Sequence, residues 1–410
     1  MKYVIIGNSA AAIGTVEGIR QIDQNGEIVL ISKETQHTYS RPLISYLLLG
    51  KTDLQRMKYR PDDFYEKNGC KVMLGCEAVK ISPDTKTVLL SSGEQITYDK
   101  LMIAAGSRPF VPPMAGMDTV KNKFTFMSLD DAQALEKALT PEARVLIVGA
   151  GLIGLKCAEG IEKSVRSITV VDLANRILPS ILDEAGSAMV QAYIEQKGVR
   201  MILGQSVKLF EGNTAHLTDG TQLEFDILVI AVGVRPNTQL ASDAGVEVGR
   251  GILTDACCRT NKADIYAAGD CTESYDITVK QSRILALLPN AYMQGETAGI
   301  TMAGGKAAYD KAIPMNSIGF FGLHIITAGS YDGEAYTEQD EKHYKKLVVR
   351  DGKLCGYILI GEVSRAGIYT SLIRNQTDLS TVDFELLKQK PQLMAFCRKD
   401  RAAMLGGEKA

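Results

Sequence analysis

Two short stretches of this 410-residue chain place glycines and small residues where phosphate chemistry needs them. Residues 145–155 read VLIVGAGLIGL, a β-branched apolar run followed by Gly149, Gly151 and Gly154 in G-x-G-x-x-G spacing. In such a device the first glycine permits a tight strand-to-helix turn. The second lets a pyrophosphate approach the backbone, and the third lets helix and strand pack closely. The helix opening at Leu152 and Ile153 then offers free N–H groups and a partial positive charge. Residues 4–14, VIIGNSAAAIG, repeat the device more loosely: Gly7 is kept, Ser9 stands at the second glycine and Ala12 at the third. Both replacements are small, and a serine hydroxyl can donate to phosphate.

An acidic residue closes the strand after each turn. Asp172 follows the second turn by about 20 residues, the distance at which a carboxylate meets an adenosine ribose. Residues 173–175 are Leu, Ala and Asn, so no arginine directly follows it. A 2′-phosphate would meet a negative charge there, which favours NADH over NADPH, with Arg176 as the nearby cation that argues the other way. Glu34 holds the matching place after the first turn.

Other reactive residue types are dispersed. The eight cysteines (Cys70, Cys76, Cys157, Cys257, Cys258, Cys271, Cys355, Cys397) form no C-x-x-C pair or zinc-like cluster. They read as reduced, packed thiols. The four histidines show no metal-ligand spacing, so no metal site is expected. A net charge of −2 gives no electrostatic case for nucleic acid or an anionic membrane. No apolar run approaches the roughly 20 residues of a membrane span. No signal-peptide pattern opens the chain, so a cytoplasmic location is expected.

The elements that must position these residues can be read from periodicity. Strand-like runs at 2–7 and 27–32 flank a helical pattern at 9–22, and strands 144–149 and 167–172 flank a helix at 152–165. Each set is a βαβ unit. Residues 86–103 read as two strands, KTVLL and KLMIAAG, around the turn SSGEQ, and prolines 109, 112 and 113 mark a boundary. Helices are expected at 130–139, 183–197 and 288–304, and strands at 227–233 and 263–270. The last ~85 residues change character: KKLVVRDGKLCGYILIG reads as a hairpin around Asp351-Gly352, and RAGIYTSLIRNQ as a helix. FFGLHIITAGSY reads as a core strand. The expected fold is α/β with two Rossmann-like domains and a C-terminal α+β domain.

Further runs in order are YSRPLISY, LMIAAGSRP, LVIAVGVRPN, ADIYAAGDCTE and NAYMQGETAGITMAG. With the two glycine turns, residues 1 to about 325 resemble the pyridine nucleotide-disulfide oxidoreductase superfamily of two-dinucleotide flavoproteins. The nearest branch holds NADH–rubredoxin reductases and the flavin part of nitrite reductase large subunits. The resemblance implies FAD on the first unit and NAD(H) on the second. It divides the chain into an FAD domain (1–112 and 245–325), an NAD domain (113–244) and an interface domain (326–410). Toward FAD it carries over Gly7, Ser9, Ala10 and Ala11 on the pyrophosphate and Glu34 on a ribose. Arg41 and Pro42 border the flavin, and Val79 touches adenine. Ala105, Gly106 and Asp270 stand at strand ends, and Asn290 and Gln294 lie on a helix aimed at the flavin pyrimidine. Toward NAD it carries over Gly149, Gly151, Leu152, Ile153, Gly154, Asp172 and Gly233.

The chain departs from that family in two ways. Residues 35–69 contain no cysteine, so neither a redox disulfide nor a single catalytic thiol stands beside the flavin. Relatives often carry Lys where this chain has Tyr46, and Glu where it has Lys156. We therefore expect Tyr46 and Lys156 at the flavin edge, with Lys156 supplying positive charge that stabilises reduced flavin. Without a thiol relay, reduced flavin must pass electrons directly. The expected partner is an iron–sulfur or rubredoxin-type protein, and the expected assembly is a homodimer or a redox-complex subunit. The alternatives are an NADH oxidase or small-molecule NADH reductase, and a non-catalytic flavoprotein subunit.

Overall fold

Continuous β-branched runs such as KYVII and RVLIV make strands buried on both faces, which suits a parallel sheet covered by helices. In this computed structural model, which describes residues 1–404, the chain forms two such sheets. The first is ordered Ile265–Ala267, Lys100–Ile103, Lys2–Ile6, Glu27–Ser32, Cys70–Leu74, every neighbouring pair parallel. The second is ordered Lys123–Phe124, Ile227–Ile230, Arg144–Val148, Ser167–Asp172, Val199–Leu203, again all parallel. In both, the strand that leads into a glycine turn is central. The order reverses beside it, the place where open α/β sheets bind ligands.

The resemblance between the two halves extends further. Each sheet is accompanied by a three-stranded antiparallel sheet: Ala78–Ser82, Thr87–Leu90 and Gln95–Thr97 in one, Val207–Glu211, Thr214–Leu217 and Gln222–Glu224 in the other. The stretch 86–103 thus holds three strands where periodicity indicated two. Gly93, at φ +89°, turns Thr87–Leu90 back onto Gln95–Thr97, and Lys100–Ile103 then leaves for the parallel sheet. After strands Lys100–Ile103 and Ile227–Ile230, the segments Ser107–Pro109 and Val234–Pro236 pair antiparallel, Arg108 opposite Arg235.

Helix Ala10–Ile22 follows the first turn and lies against helix Leu288–Met302 at unusually close range. A Cβ on Gly14 would sit 2.3 Å from the Tyr292 carbonyl, and one on Gly295 only 2.0 Å from that of Ala11. This explains why residues 288–304 are so rich in small side chains. Both parallel sheets lie in one compact unit comprising Met1–Leu178, Ile194–Ser274 and Ser282–Asp310.

The other unit contains Pro179–Tyr193, Tyr275–Gln281 and the chain from Lys311 onward. Its five-stranded antiparallel sheet is ordered Met315–Phe320, Leu323–Gly329, Lys353–Ile360, Tyr344–Arg350, Glu334–Gln339. Asp351 and Gly352 both have positive φ (53° and 69°), as a two-residue type I′ hairpin requires. FFGLHIITAGSY supplies the turn and second strand of this sheet, whose first strand begins ahead of residue 326. Helix Ala366–Arg374 buries Tyr369, Leu372 and Ile373 in the same core as Leu347, Tyr357 and Leu359. No helix among the described residues is long and apolar enough to cross a membrane.

Candidate functional site

The two glycine turns are built alike. Gly7 and Gly149 have φ of +128° and +118°, a region closed to side chains. A Cβ would lie 2.2 Å from the Ala104 carbonyl oxygen at Gly7, and 2.3 Å from that of Ala231 at Gly149. Their N–H groups donate to Ile31 and Val171, each at 2.8 Å. Each turn is thereby fastened to the strands on either side of it. Gly151 caps its helix, and a Cβ there would meet open space, so no packing among the described residues demands glycine. Ser9 caps helix Ala10–Ile22 without spending its hydroxyl on the helix. Ala10 and Ala11 are buried behind it.

Beside the first turn lies a pocket walled by Ser9, Glu34, Gln36, His37, Tyr39 and Arg41, among others. Arg41 pairs with Glu34, and the Tyr39 hydroxyl donates to the second Glu34 oxygen at 2.7 Å. The same hydroxyl accepts the Leu129 N–H at 2.9 Å. Burial alone would lower the Arg41 pKa, but the facing Tyr39 oxygen and Glu34 carboxylate hold it above its ordinary value. Glu34 is thus fixed in place with lone pairs to spare for ribose hydroxyls. Three successive residues on this side, missed in the sequence reading, carry buried polar atoms with no partner among the described residues: Gln36 Oε1, His37 Nε2 and Thr38 Oγ1. Orphaned polar atoms cost free energy unless something completes them. A polar adenosine diphosphate moiety fits that requirement. The only sequence signal was a polar run, QHT, between the acid and YSRP.

The remaining first-site residues divide by what they touch. Asp270 accepts a hydrogen bond from Ser107 Oγ at 3.2 Å. Its burial raises the carboxyl pKa, opposed by Ser107 and by the charge of Arg41. Gln294 is spent on the protein: its Oε1 accepts the Gly269 N–H at 2.8 Å, and its Nε2 donates to Thr272 and Ser274. It therefore positions the loop that bears Asp270. Asn290 is buried and accepts the Tyr309 hydroxyl at 2.7 Å. The Ala105 carbonyl accepts from Asn237 Nδ2 at 2.8 Å, and that of Gly106 from the Asn237 N–H at 2.9 Å. Val79 is exposed at a register shift in its antiparallel sheet, where a bulge removes its backbone from the ladder. Pro42 sits exposed in the short 3-10 turn Arg41–Leu43.

At the second turn, Asp172 accepts the N–H of Ala150 at 2.6 Å and that of Ala174 at 2.7 Å. Leu152 and Ile153, partly exposed, open the helix. A Cβ on Gly154 would lie 2.0 Å from the Gly149 carbonyl, so the third glycine is needed for packing. The Gly233 carbonyl accepts from Phe110 at 2.9 Å.

Tyr46 and Lys156 meet each other. Helix Ile44–Leu48 packs on helix Leu152–Ile161, and Lys156 Nζ stands 4.4 Å from the Tyr46 ring centroid. That is cation–π range. Lys156 is only 17% exposed and also pairs with Glu159, which is nearly fully buried. Glu159 was missed in the sequence reading; the i,i+3 spacing Lys-x-x-Glu on a helix was its signal. The eight cysteines are free thiols. Burial pushes Cys271 up to about 12 and raises Cys157 and Cys258 as well, which keeps them protonated and poor nucleophiles.

Two parallel sheets, each with a glycine turn and an acid closing the next strand, define an α/β protein of the two-dinucleotide type. The chain belongs to the pyridine nucleotide-disulphide oxidoreductase family, which it matches over residues 1–295. Residues 314–377 match the rubredoxin NAD+ reductase C-terminal domain. FAD and NAD(H) are its cofactors. The NADH-dependent phenylglyoxylate dehydrogenase subunit epsilon of Aromatoleum evansii is 32% identical over 92% of this chain and 93% of its own length. A rubredoxin-NAD(+) reductase of Alcanivorax borkumensis is 30% identical over 88% and 94%. The chain spans about half the length of several longer curated relatives. The reductase in the covalent putidaredoxin reductase-putidaredoxin complex has the same fold, with TM-score 0.88, 99% coverage of both chains and 24% identity.

Proposed function

We propose that this chain passes electrons between NAD(H) and a one-electron iron–sulfur or rubredoxin-type protein, using FAD and no redox-active disulfide. The observation that carries this reading is the duplicated turn: two dinucleotide cradles whose central strands, acids and flanking sheets correspond part for part. Bound FAD supplies the chemistry of accepting a hydride and releasing single electrons. The FAD domain of the proposal is 1–112 with 245–325, the NAD domain 113–244, and the interface domain 326–410.

On the first cradle, Gly7, Ser9, Ala10 and Ala11 face the pyrophosphate with N–H groups and a hydroxyl, and Glu34, held by Arg41 and Tyr39, takes a ribose. Val79 offers free backbone to adenine, and Asp270, steadied by Ser107 and Gln294, binds the chain between phosphate and ring. Asn290 opens the helix whose N-terminus favours negative charge on the flavin pyrimidine. On the second cradle, Gly149, Gly151, Leu152, Ile153 and Gly154 hold the nicotinamide dinucleotide, Asp172 its ribose, and Gly233 lines the approach. Lys156 contributes positive charge at the flavin edge, partly balanced by Glu159 and shielded from water by Tyr46.

The names of two relatives, one a rubredoxin reductase and one an NADH-dependent dehydrogenase subunit, support a protein partner. Anaerobic titration with NADH tests the first half of the reading: the bound flavin should bleach with one equivalent. Reoxidation tests the second half. Rubredoxin or a ferredoxin should reoxidise it much faster than air. Rapid reaction with dioxygen and indifference to either metalloprotein would instead make the chain an NADH oxidase.

A further inference from the structure

Among the described residues, the guanidinium of Arg176 has neither an ion pair nor a hydrogen bond, and its Nε is buried without a partner. Arginines are buried, even in part, with a carboxylate, carbonyl or phosphate to receive their five donors. Arg176 has none of these, although the loop that carries it is held by backbone bonds at Asp172, Ala174 and Leu178.

That loop, 172–178, is stapled to the second glycine turn at both ends. Ala150 donates its N–H to the Asp172 carboxylate at 2.6 Å and accepts the Leu178 N–H on its carbonyl at 3.0 Å. Further bonds hold the loop from the other side: the Gly204 N–H reaches Ala174 O at 2.9 Å, and the Gln205 N–H reaches Asp172 O at 3.1 Å. Ile177 and Leu178 are fully buried, so the stem of Arg176 cannot swing away with the backbone. Only Ile177 separates Arg176 from Leu178, which keeps its Cα within about 7 Å of the residue bonded to the turn. An extended arginine side chain is long enough to span the rest. The turn itself ends in the N-terminus of helix Leu152–Ile161, where a Cβ on Gly151 would meet only open space.

We propose that Arg176 is a phosphate-binding residue of the pyridine-nucleotide site, its unpaired guanidinium completing the cradle formed by the second glycine turn. The inference rests on the second turn being the nicotinamide cradle. The ligand chemistry is a phosphate of the dinucleotide, with two sources: the pyrophosphate common to NADH and NADPH, or the 2′-phosphate of NADPH alone. The geometry favours the pyrophosphate, because both staples of the loop fall on the glycine turn.

The test is calorimetric titration of the FAD-loaded protein with NAD+, NADP+, ADP-ribose and adenosine, for the parent and for Arg176→Ala and Arg176→Lys. Losing one charge-assisted bidentate contact should weaken NAD+ and ADP-ribose by about 10-fold or more. Adenosine, which has no phosphate, should be unaffected, and Arg176→Lys should recover part of the loss. If NADP+ alone weakens, the contact is to the 2′-phosphate and the residue sets nucleotide choice. If NAD+ and NADP+ bind Arg176→Ala as they bind the parent, the proposal is overturned. An equal loss for adenosine overturns it too, since that reports a collapsed loop. Failure of the parent to bind any of the nucleotides would instead refute the nicotinamide cradle.

Discussion

The two glycine turns share their first residue, their strand order and their acid, yet they differ in what surrounds them. The first turn leads into a helix pressed backbone to backbone against helix Leu288–Met302, and its pocket wall carries three orphaned polar atoms. The second leads into a helix whose cap faces open space, followed by Leu173 at 75% exposure. An enclosed cradle whose polar groups depend on the ligand suits a cofactor that stays. An open one suits a nucleotide that must leave each turnover. The looser glycine spelling of the first copy follows from the same difference, because its close packing comes from Gly14, Gly18, Gly295 and Gly299 rather than from a third glycine in the turn.

The largest expected effect breaks this comparison at its shared residue. Gly7→Ala forces a Cβ to 2.2 Å from a backbone oxygen at a φ that L-residues avoid, and the protein should purify almost free of flavin. Gly149→Ala meets an equal clash, yet it should keep its flavin and lose reduction by NADH. The flavin absorbance of purified protein and anaerobic stopped-flow reduction separate the two. Equal flavin loss in both variants would mean that the turns do not serve separate ligands.

Next in size is Asp172. Replacing it with alanine removes the carboxylate proposed to receive the ribose, so kcat/KM for NADH should fall by about 10- to 100-fold. The preference for NADH over NADPH should narrow. Flavin content should not change, whereas Glu34→Ala should reduce flavin content and free Arg41 of its partner. Steady-state kinetics with both nucleotides measures the first effect, and flavin release on dilution the second.

Both turns, both acids and most of the alternating elements could be read from local pattern, because glycine, β-branched runs and strand-end carboxylates signal themselves within a short window. Three features could not. Gln36, His37 and Thr38 look like a polar loop until their burial is seen. Gln294 sits on a helix where a contact with flavin was expected, but its carboxamide bonds a loop about 20 residues earlier in the chain. Glu159 lies in plain helical spacing from Lys156, but its near-complete burial, on a helix that packs against Ile44–Leu48, is a tertiary property that no local spacing shows. The hairpin at 86–97 escapes detection for the opposite reason: its second strand, QIT, is too short to show a period.

Lys156 and Glu159 sharpen the comparison where the two halves meet. Lys156→Ala removes a mostly buried cation, so the flavin potential should fall and hydride transfer from NADH should slow by about 10-fold. Glu159→Gln removes a negative charge beside the cation and should move the potential the other way. Dye-equilibration potentiometry with the same reduction assay reads both. Unchanged potentials in both variants would reduce the cluster to a packing contact over Tyr46.

The smallest effect concerns the third position of each turn. Gly154 touches the Gly149 carbonyl so closely that an added Cβ would sit at 2.0 Å, whereas Ala12 occupies the equivalent place fully buried. Gly154→Ala should therefore cost about 1–3 kcal/mol through overpacking. Ala12→Gly adds no clash and only loosens the helix, at about 1 kcal/mol. Thermal unfolding of the flavin-loaded protein measures both. If the two substitutions cost the same, the first turn is as tight as the second, and its looser sequence would need another cause than the glycines of the packed helix pair.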